Sequence, residues 1–202
     1  MADLGPDDEL LDVACGSGAF LEEHASHVRH VAGLDLSEAE VRIARRRLAE
    51  RIAQGSAEVI QGDAAALPWE EGRFSVVTCM GSFGFFSDPG QAVSEVYRVL
   101  RPGGRTVLNM GWRVVEGTAS HRSATMGSWV WNEADVRRML EDAGFADVSV
   151  SYAWPTGDDR LADLLWHVVG EQRFIQGVKP ATIISADPAE TRPPTLAGPR
   201  AH

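Results

Sequence analysis

The residues with the clearest chemical potential stand together in Glu9 to Leu21, ELLDVACGSGAFL. Glu9 to Ala14 is short and apolar apart from Asp12, the pattern of a buried parallel strand. Ala14-Cys15-Gly16-Ser17-Gly18 is a tight glycine turn, and the residues from Ala19 to about Val28 read as a helix. A strand that passes through glycines into a helix makes a ligand site. The first N–H groups of the helix have no partner within it, and glycines let a ligand approach the backbone. A dinucleotide would call for G-x-G-x-x-G. Here Leu21 replaces the third glycine, and Asp12 lies four residues before Gly16, where it would repel a pyrophosphate. An acid in that place suits a ligand carrying an ammonium and a sulfonium.

This stretch resembles motif I of the class I S-adenosylmethionine (SAM) dependent methyltransferases, D/E-x-G-x-G-x-G, with Ala14 in place of the first glycine as in the ubiquinone/menaquinone type. The run GDAAALPWEEGRFSVVTCMGSFGFFSDPGQAVSEVYRVLRPGGRTVL, from Gly62, is similar to the same family: an acid followed by LP, then a strand, a helix ending RVLRPGG, and a further strand. The resemblance covers roughly residues 9–150. It implies a Rossmann-like α/β fold with seven strands in the order 3-2-1-4-5-7-6, one of them antiparallel. It also implies SAM bound at the switch point between strands one and four.

The resemblance distributes roles as follows. Asp12 and the backbone of Ala14, Cys15, Gly16 and Gly18 hold the methionine part. Asp35, 19 residues after Gly16, accepts from both ribose hydroxyls. Asp63 and the Ala64 N–H face the adenine, while Leu36, Met80 and Gly81 flank the adenosyl group. Methyl transfer needs no covalent enzyme intermediate, because the sulfonium is already a good leaving group, so much of the rate comes from in-line positioning. A general base is required only if the acceptor must first lose a proton, and His121 is the candidate. Trp112, Trp129 and Trp131 flank the loop where the family builds its acceptor pocket. Their large flat side chains suit an apolar or aromatic small molecule, or serve to pack a lid. After strand four the chain reads MGSF and lacks the N/D-P-P-Y/F motif of DNA N-methyltransferases.

Composition limits the alternatives. The chain has 202 residues and a net charge of −10, enough for one α/β domain and opposed to general nucleic-acid binding. The basic run at Arg42, Arg45, Arg46, Arg47 and Arg51 is interleaved with glutamates and reads as a solvated helix face. Two cysteines make no disulfide framework and suit a reducing, cytoplasmic setting. The scattered histidines and the lack of C-x-x-C support no metal site. No apolar run reaches the ~18 residues of a membrane span.

These residues need a frame to position them. Strands are predicted at 28–35, 57–62, 74–80 and 105–110, with helices from a Ser37–Glu40 capping box to about Ala53 and from Asp88-Pro89 to Leu100. Gly111 to Trp131 reads as a long connection. A helix follows over Glu133 to Ala143, a strand over Ala146 to Trp154, and a final antiparallel strand over Ala162 to Glu171. The domain is placed at 1–176 and a flexible tail at 177–202. The family's usual N-terminal cap helices are expected to be missing or supplied from elsewhere. That opens three further readings: a SAM-binding partner subunit, a SAM-assisted non-methyl enzyme such as a cyclase, or a homodimer that completes the pocket.

Overall fold

The computed structural model describes residues 4–111, 114–115, 117–125, 127–153 and 172–181. In chain order the elements are β1 (Glu9–Val13), α1 (Ala19–His24), β2 (His30–Asp35), α2 (Glu38–Arg47), α3 (Ala49–Ala53), β3 (Ala57–Gln61), β4 (Phe74–Cys79), α4 (Pro89–Val99), β5 (Leu100–Gly111), β6 (Val114–Val115), β7 (His121–Arg122), β8 (Trp129–Asn132), α5 (Glu133–Asp142), β9 (Ala146–Ala153) and β10 (Gln172–Val178). Seven strands form one sheet in the order β3-β2-β1-β4-β5-β10-β9. Only β10 runs antiparallel to its neighbours. This is the expected order 3-2-1-4-5-7-6, with β10 as the seventh strand and β9 as the sixth.

The sheet is buried on both faces, which explains why β1, β2 and β4 read as continuous apolar runs rather than alternating ones. Successive side chains point to opposite faces. Leu10, Val31 and Val76 pack with Leu21, Val41 and Ala44 on one face. Leu11, Val77 and Leu108 pack with Val93, Val96, Val136 and Leu140 on the other. The helix after Ser37 is not continuous to Ala53. It breaks at Leu48, which leaves helical geometry (φ −98°, ψ 15°) while its side chain stays in the core. Asp88 and Asn132 cap α4 and α5 as their types suggest, accepting from the Gln91 and Ala134 N–H groups at 2.9 Å.

Three expectations need correction. The connection from Gly111 to Trp131 is not wholly irregular, because β6, β8 and β7 form a small sheet in that order. The final strand is Gln172–Val178, while the run Ala162 to Glu171 lies outside the described residues. The tail cannot start at Gly177, since Gly177 and Val178 pair with Thr106 and Arg105 of β5.

Beyond that strand Lys179 is 8% exposed. Its ammonium donates to the Tyr97 carbonyl at 3.1 Å and the Leu100 carbonyl at 2.8 Å, and lies 4.7 Å from the Tyr97 ring centroid. It thus satisfies carbonyls at the C-terminal end of α4, where a cation also meets the negative end of the helix dipole. Lys179→Ala is expected to destabilise the fold by about 1–3 kcal/mol, the cost of leaving buried acceptors unpaired. Urea denaturation would read this directly, and an unchanged midpoint would refute the capping role.

Candidate functional site

Asp12 is the penultimate residue of β1 and lies in register between Gly33 of β2 and Thr78 of β4. The carboxyl is buried, and its Oδ1 accepts from the Thr78 hydroxyl at 2.7 Å. Burial pushes Asp12 up to about 7; the Thr78 hydroxyl works against this rise and the neighbouring Asp35 charge adds to it.

The glycine turn that follows is fixed from behind by β2. The Cys15 N–H donates to the Leu34 carbonyl at 2.9 Å, and the Gly16 N–H to Asp35 Oδ2 at 2.8 Å. Ala14, Gly16 and Gly18 all have positive φ, at 60°, 51° and 76°. Gly18 also packs against α2: a Cβ there would stand 3.0 Å from Ala44 Cβ. The Cys15 side chain packs over Gly33, where a Cβ would meet its Sγ at 2.8 Å. Burial pushes the Cys15 thiol up to about 12, with Asp12 and Asp35 adding to the rise, so this residue offers the site its backbone and no reactive thiolate.

Asp35, at the end of β2, accepts one backbone N–H on each oxygen: Gly16 on Oδ2 and Ser37 on Oδ1, both at 2.8 Å. A carboxylate has about four lone-pair sites, so capacity remains for a ligand's donors. The end of β3 turns through Gly62 and Asp63. Asp63 Oδ1 accepts from the Ala65 N–H at 2.9 Å, an Asx turn that holds buried Ala64 in place.

These strand ends and the turn after β4 enclose a cavity of about 140 Å³ lined by Ala14, Leu34, Leu36, Gly62, Asp63, Ala64, Phe85, Phe86 and Ser87. Leu36 and Phe85 are 71% and 64% exposed, unusual for large apolar side chains. Apolar walls with a polar edge suit a flat heteroaromatic ring. Larger depressions, of about 430 and 470 Å³, lie between α4 and α5 and against α2 and α3. Neither includes the C-terminal end of a sheet strand, where ligands of open α/β sheets bind.

The fold therefore gathers most of the sequence candidates. Ala14, Leu36, Asp63 and Ala64 line the cavity, and Asp12, Cys15, Gly16, Gly18 and Asp35 build the turn beside it. Met80 and Gly81 follow β4 but do not line the cavity. His121 is exposed on β7, paired to Val130 of β8, with Nδ1 3.1 Å from the Ala119 carbonyl, and it does not reach the cavity. Trp112 lies outside the described residues. Trp129 and Trp131 stack on one another at 5.2 Å, Trp131 stacks on Phe83, and the Trp129 indole N–H donates to the Phe86 carbonyl at 3.0 Å. They brace the aromatic turn rather than stand open. Phe85, Phe86 and Ser87 also line the cavity and are not among the candidates above, although an aromatic run soon after the fourth strand is a signal for them. Among the described residues no group of three His, Cys, Asp or Glu could hold a metal ion, and no helix is long and apolar enough to cross a membrane.

Comparison with known proteins agrees with this geometry. Residues 11–108 match a family model described as a methyltransferase domain. The demethylmenaquinone methyltransferase of Lactococcus lactis is 41% identical over 103 residues, which make up 48% of this chain and 40% of that protein. This chain spans about two fifths of the length of the demethylmenaquinone methyltransferases it matches. In overall fold it resembles the [4+2]-cyclase SpnF, with TM-score 0.71 and 22% identity over 88% of this chain and 77% of that one. It also resembles geranyl diphosphate C-methyltransferase from Streptomyces coelicolor, a structure in complex with S-adenosyl-L-homocysteine, with TM-score 0.68 and 20% identity over 88% and 73%. The strand order, the glycine turn held by Asp35 and the match over residues 11–108 agree, and this segment belongs to the class I SAM-dependent methyltransferase domain family.

Proposed function

We propose that the chain binds SAM and transfers its methyl group to a small-molecule acceptor. The observation that carries this reading is the cavity at the ends of β1, β2 and β3, which adjoins a glycine turn whose Gly16 N–H is held by Asp35. The residues present fit the cofactor. Ala14, Leu36 and Phe85 offer apolar surface for the adenine, and Asp63 with the Ala64 N–H offers a polar edge. Asp35 has lone pairs free for two hydroxyls, and the buried Asp12 is an acid suited to an ammonium.

Bound there, SAM would supply a methyl group on a good leaving group. The chain's own part is to orient and to exclude water. Asp35 fixes the turn and the ribose together. The aromatic turn, braced by Trp129 and Trp131, closes the adenosyl side. Rate then comes from alignment of the acceptor rather than from a covalent step. Relatives named demethylmenaquinone methyltransferase and ubiquinone biosynthesis O-methyltransferase support a small apolar or aromatic acceptor. His121 remains the proposed base for an acceptor that must lose a proton, a role that would require the β7–β8 hairpin to come nearer the cavity.

Calorimetric titration with SAM and with S-adenosylhomocysteine tests the reading. Micromolar binding of both is expected, and release of S-adenosylhomocysteine upon addition of phenolic or quinol acceptors would establish transfer. Absence of binding by either nucleoside would sink the assignment.

A further inference from the structure

Asp12 is a carboxyl enclosed in the sheet with almost no polar support. It is 2% exposed, and among the described residues its one side-chain partner is the Thr78 hydroxyl. Among the described residues no lysine, arginine or histidine pairs with it. The groups around it are neutral or acidic: Thr78 and Cys79 on β4, Cys15 on the turn, Asp35 at the end of β2, and Glu40 of α2, whose Oε2 would stand 3.9 Å from a Cβ on Gly16. Arg47, a cation at the turn, donates to the Ser17 carbonyl at 3.0 Å and is paired with Glu22. Three of the turn's own donors are also committed, Cys15 to Leu34, Gly16 to Asp35 and Gly18 to the Cys15 carbonyl. An isolated buried carboxylate is costly, and such a group takes up a proton instead.

Resting on the cofactor assignment above, we propose that the Asp12 carboxyl is protonated in the cofactor-free chain and gives its proton to solvent when SAM binds, so that cofactor affinity rises with pH through neutrality. The bound ammonium supplies the positive charge that the protein leaves out, and the ionised form becomes the favoured one. The O–H bond of Asp12 breaks and the proton passes to the buffer; no other bond changes. With Asp12 titrating at about 7 in the free chain, binding releases about 0.9 proton at pH 6.0 and about 0.5 at pH 7.0, and affinity gains about fivefold between the two. Both pH values lie below the ordinary α-amino range of about 7.7–8.0, so the ligand's own amino group is mostly charged at both.

Titration calorimetry with SAM in buffers of different ionisation enthalpy counts these protons without any turnover. The stated release in the native chain, absent from Asp12→Asn, supports the proposal. Binding of SAM by the native chain with no release at either pH overturns it and leaves the cofactor reading standing, whereas failure to bind SAM or S-adenosylhomocysteine at all overturns that reading itself. Release by Asp12→Asn equal to that of the native chain also overturns it, because the proton then comes from elsewhere. Should Asp12→Asn not bind, Thr78→Val decides. Loss of the hydroxyl donor moves the release profile to higher pH, so more than half a proton leaves at pH 7.0, and a profile unmoved from the native one overturns the proposal.

Discussion

Replacing Asp35 by alanine is expected to weaken SAM binding by about 100-fold or more. In the proposed site this carboxylate takes two hydroxyl donors of the ribose. Hydrogen bonds to a charged group contribute about 1.5–3 kcal/mol each, and 1.4 kcal/mol is a factor of ten in affinity. The same carboxylate also accepts from the Gly16 and Ser37 N–H groups, so its removal frees the turn that must lie against the methionine part. Asp35→Asn keeps one acceptor oxygen and should lose less. The measurement is calorimetry on variants whose thermal unfolding shows an intact fold. A loss smaller than threefold in Asp35→Ala would remove Asp35 from the site.

Gly18→Ala should cost about 2–4 kcal/mol of stability, seen as a Tm lowered by about 5–15 °C for a chain of this size. Two effects add. The left-handed φ of 76° costs a residue with a Cβ about 1–2 kcal/mol. The new methyl would stand 3.0 Å from Ala44 Cβ and 3.2 Å from Ala44 Cα, and overpacking of that kind costs about 1–3 kcal/mol. A smaller loss of unfolded-chain entropy, about 0.4–1 kcal/mol, offsets part of this. Ala14 is the contrasting position. It already has φ 60°, so Ala14→Gly relieves strain while adding chain entropy, and should leave stability within about 1 kcal/mol of the native chain. If Gly18→Ala unfolds at the native temperature, the close packing of the turn on α2 is wrong.

The parallel core of the fold was legible because each of its signals is local. β1, β2 and β4 are short apolar runs, Ser37, Asp88 and Asn132 are side chains that cap the next helix, and right-handed crossovers leave few ways to order such units. The capping box forms only in part, because an acid two residues upstream competes for it. Ser37 Oγ accepts from the Glu40 N–H at 3.4 Å, but the Ser37 N–H goes to Asp35. That acid, needed at the strand end, took the donor that Glu40 would have used. The last strand was misplaced because Leu164-Leu165-Trp166 outweighs Arg173-Phe174-Ile175 in apolar content. What selects β10 is pairing on both edges, with β5 and β9 at once.

The candidate site divides the same way. Sequence alone determined the glycine turn, the acids at the ends of β1, β2 and β3, and the family to which residues 11–108 belong, because these rest on residue type and on spacing along the chain. Tertiary structure alone decided that Phe85 and Phe86 stand across from Leu36 and Asp63, that Trp129 and Trp131 brace that turn, and that His121 lies a strand away from the cavity. It also decided that, among the described residues, the Thr78 hydroxyl is the one side-chain hydrogen-bond partner of Asp12. Burial and partnership are set by segments that meet only in the folded chain, and no local pattern encodes which of them will be neighbours.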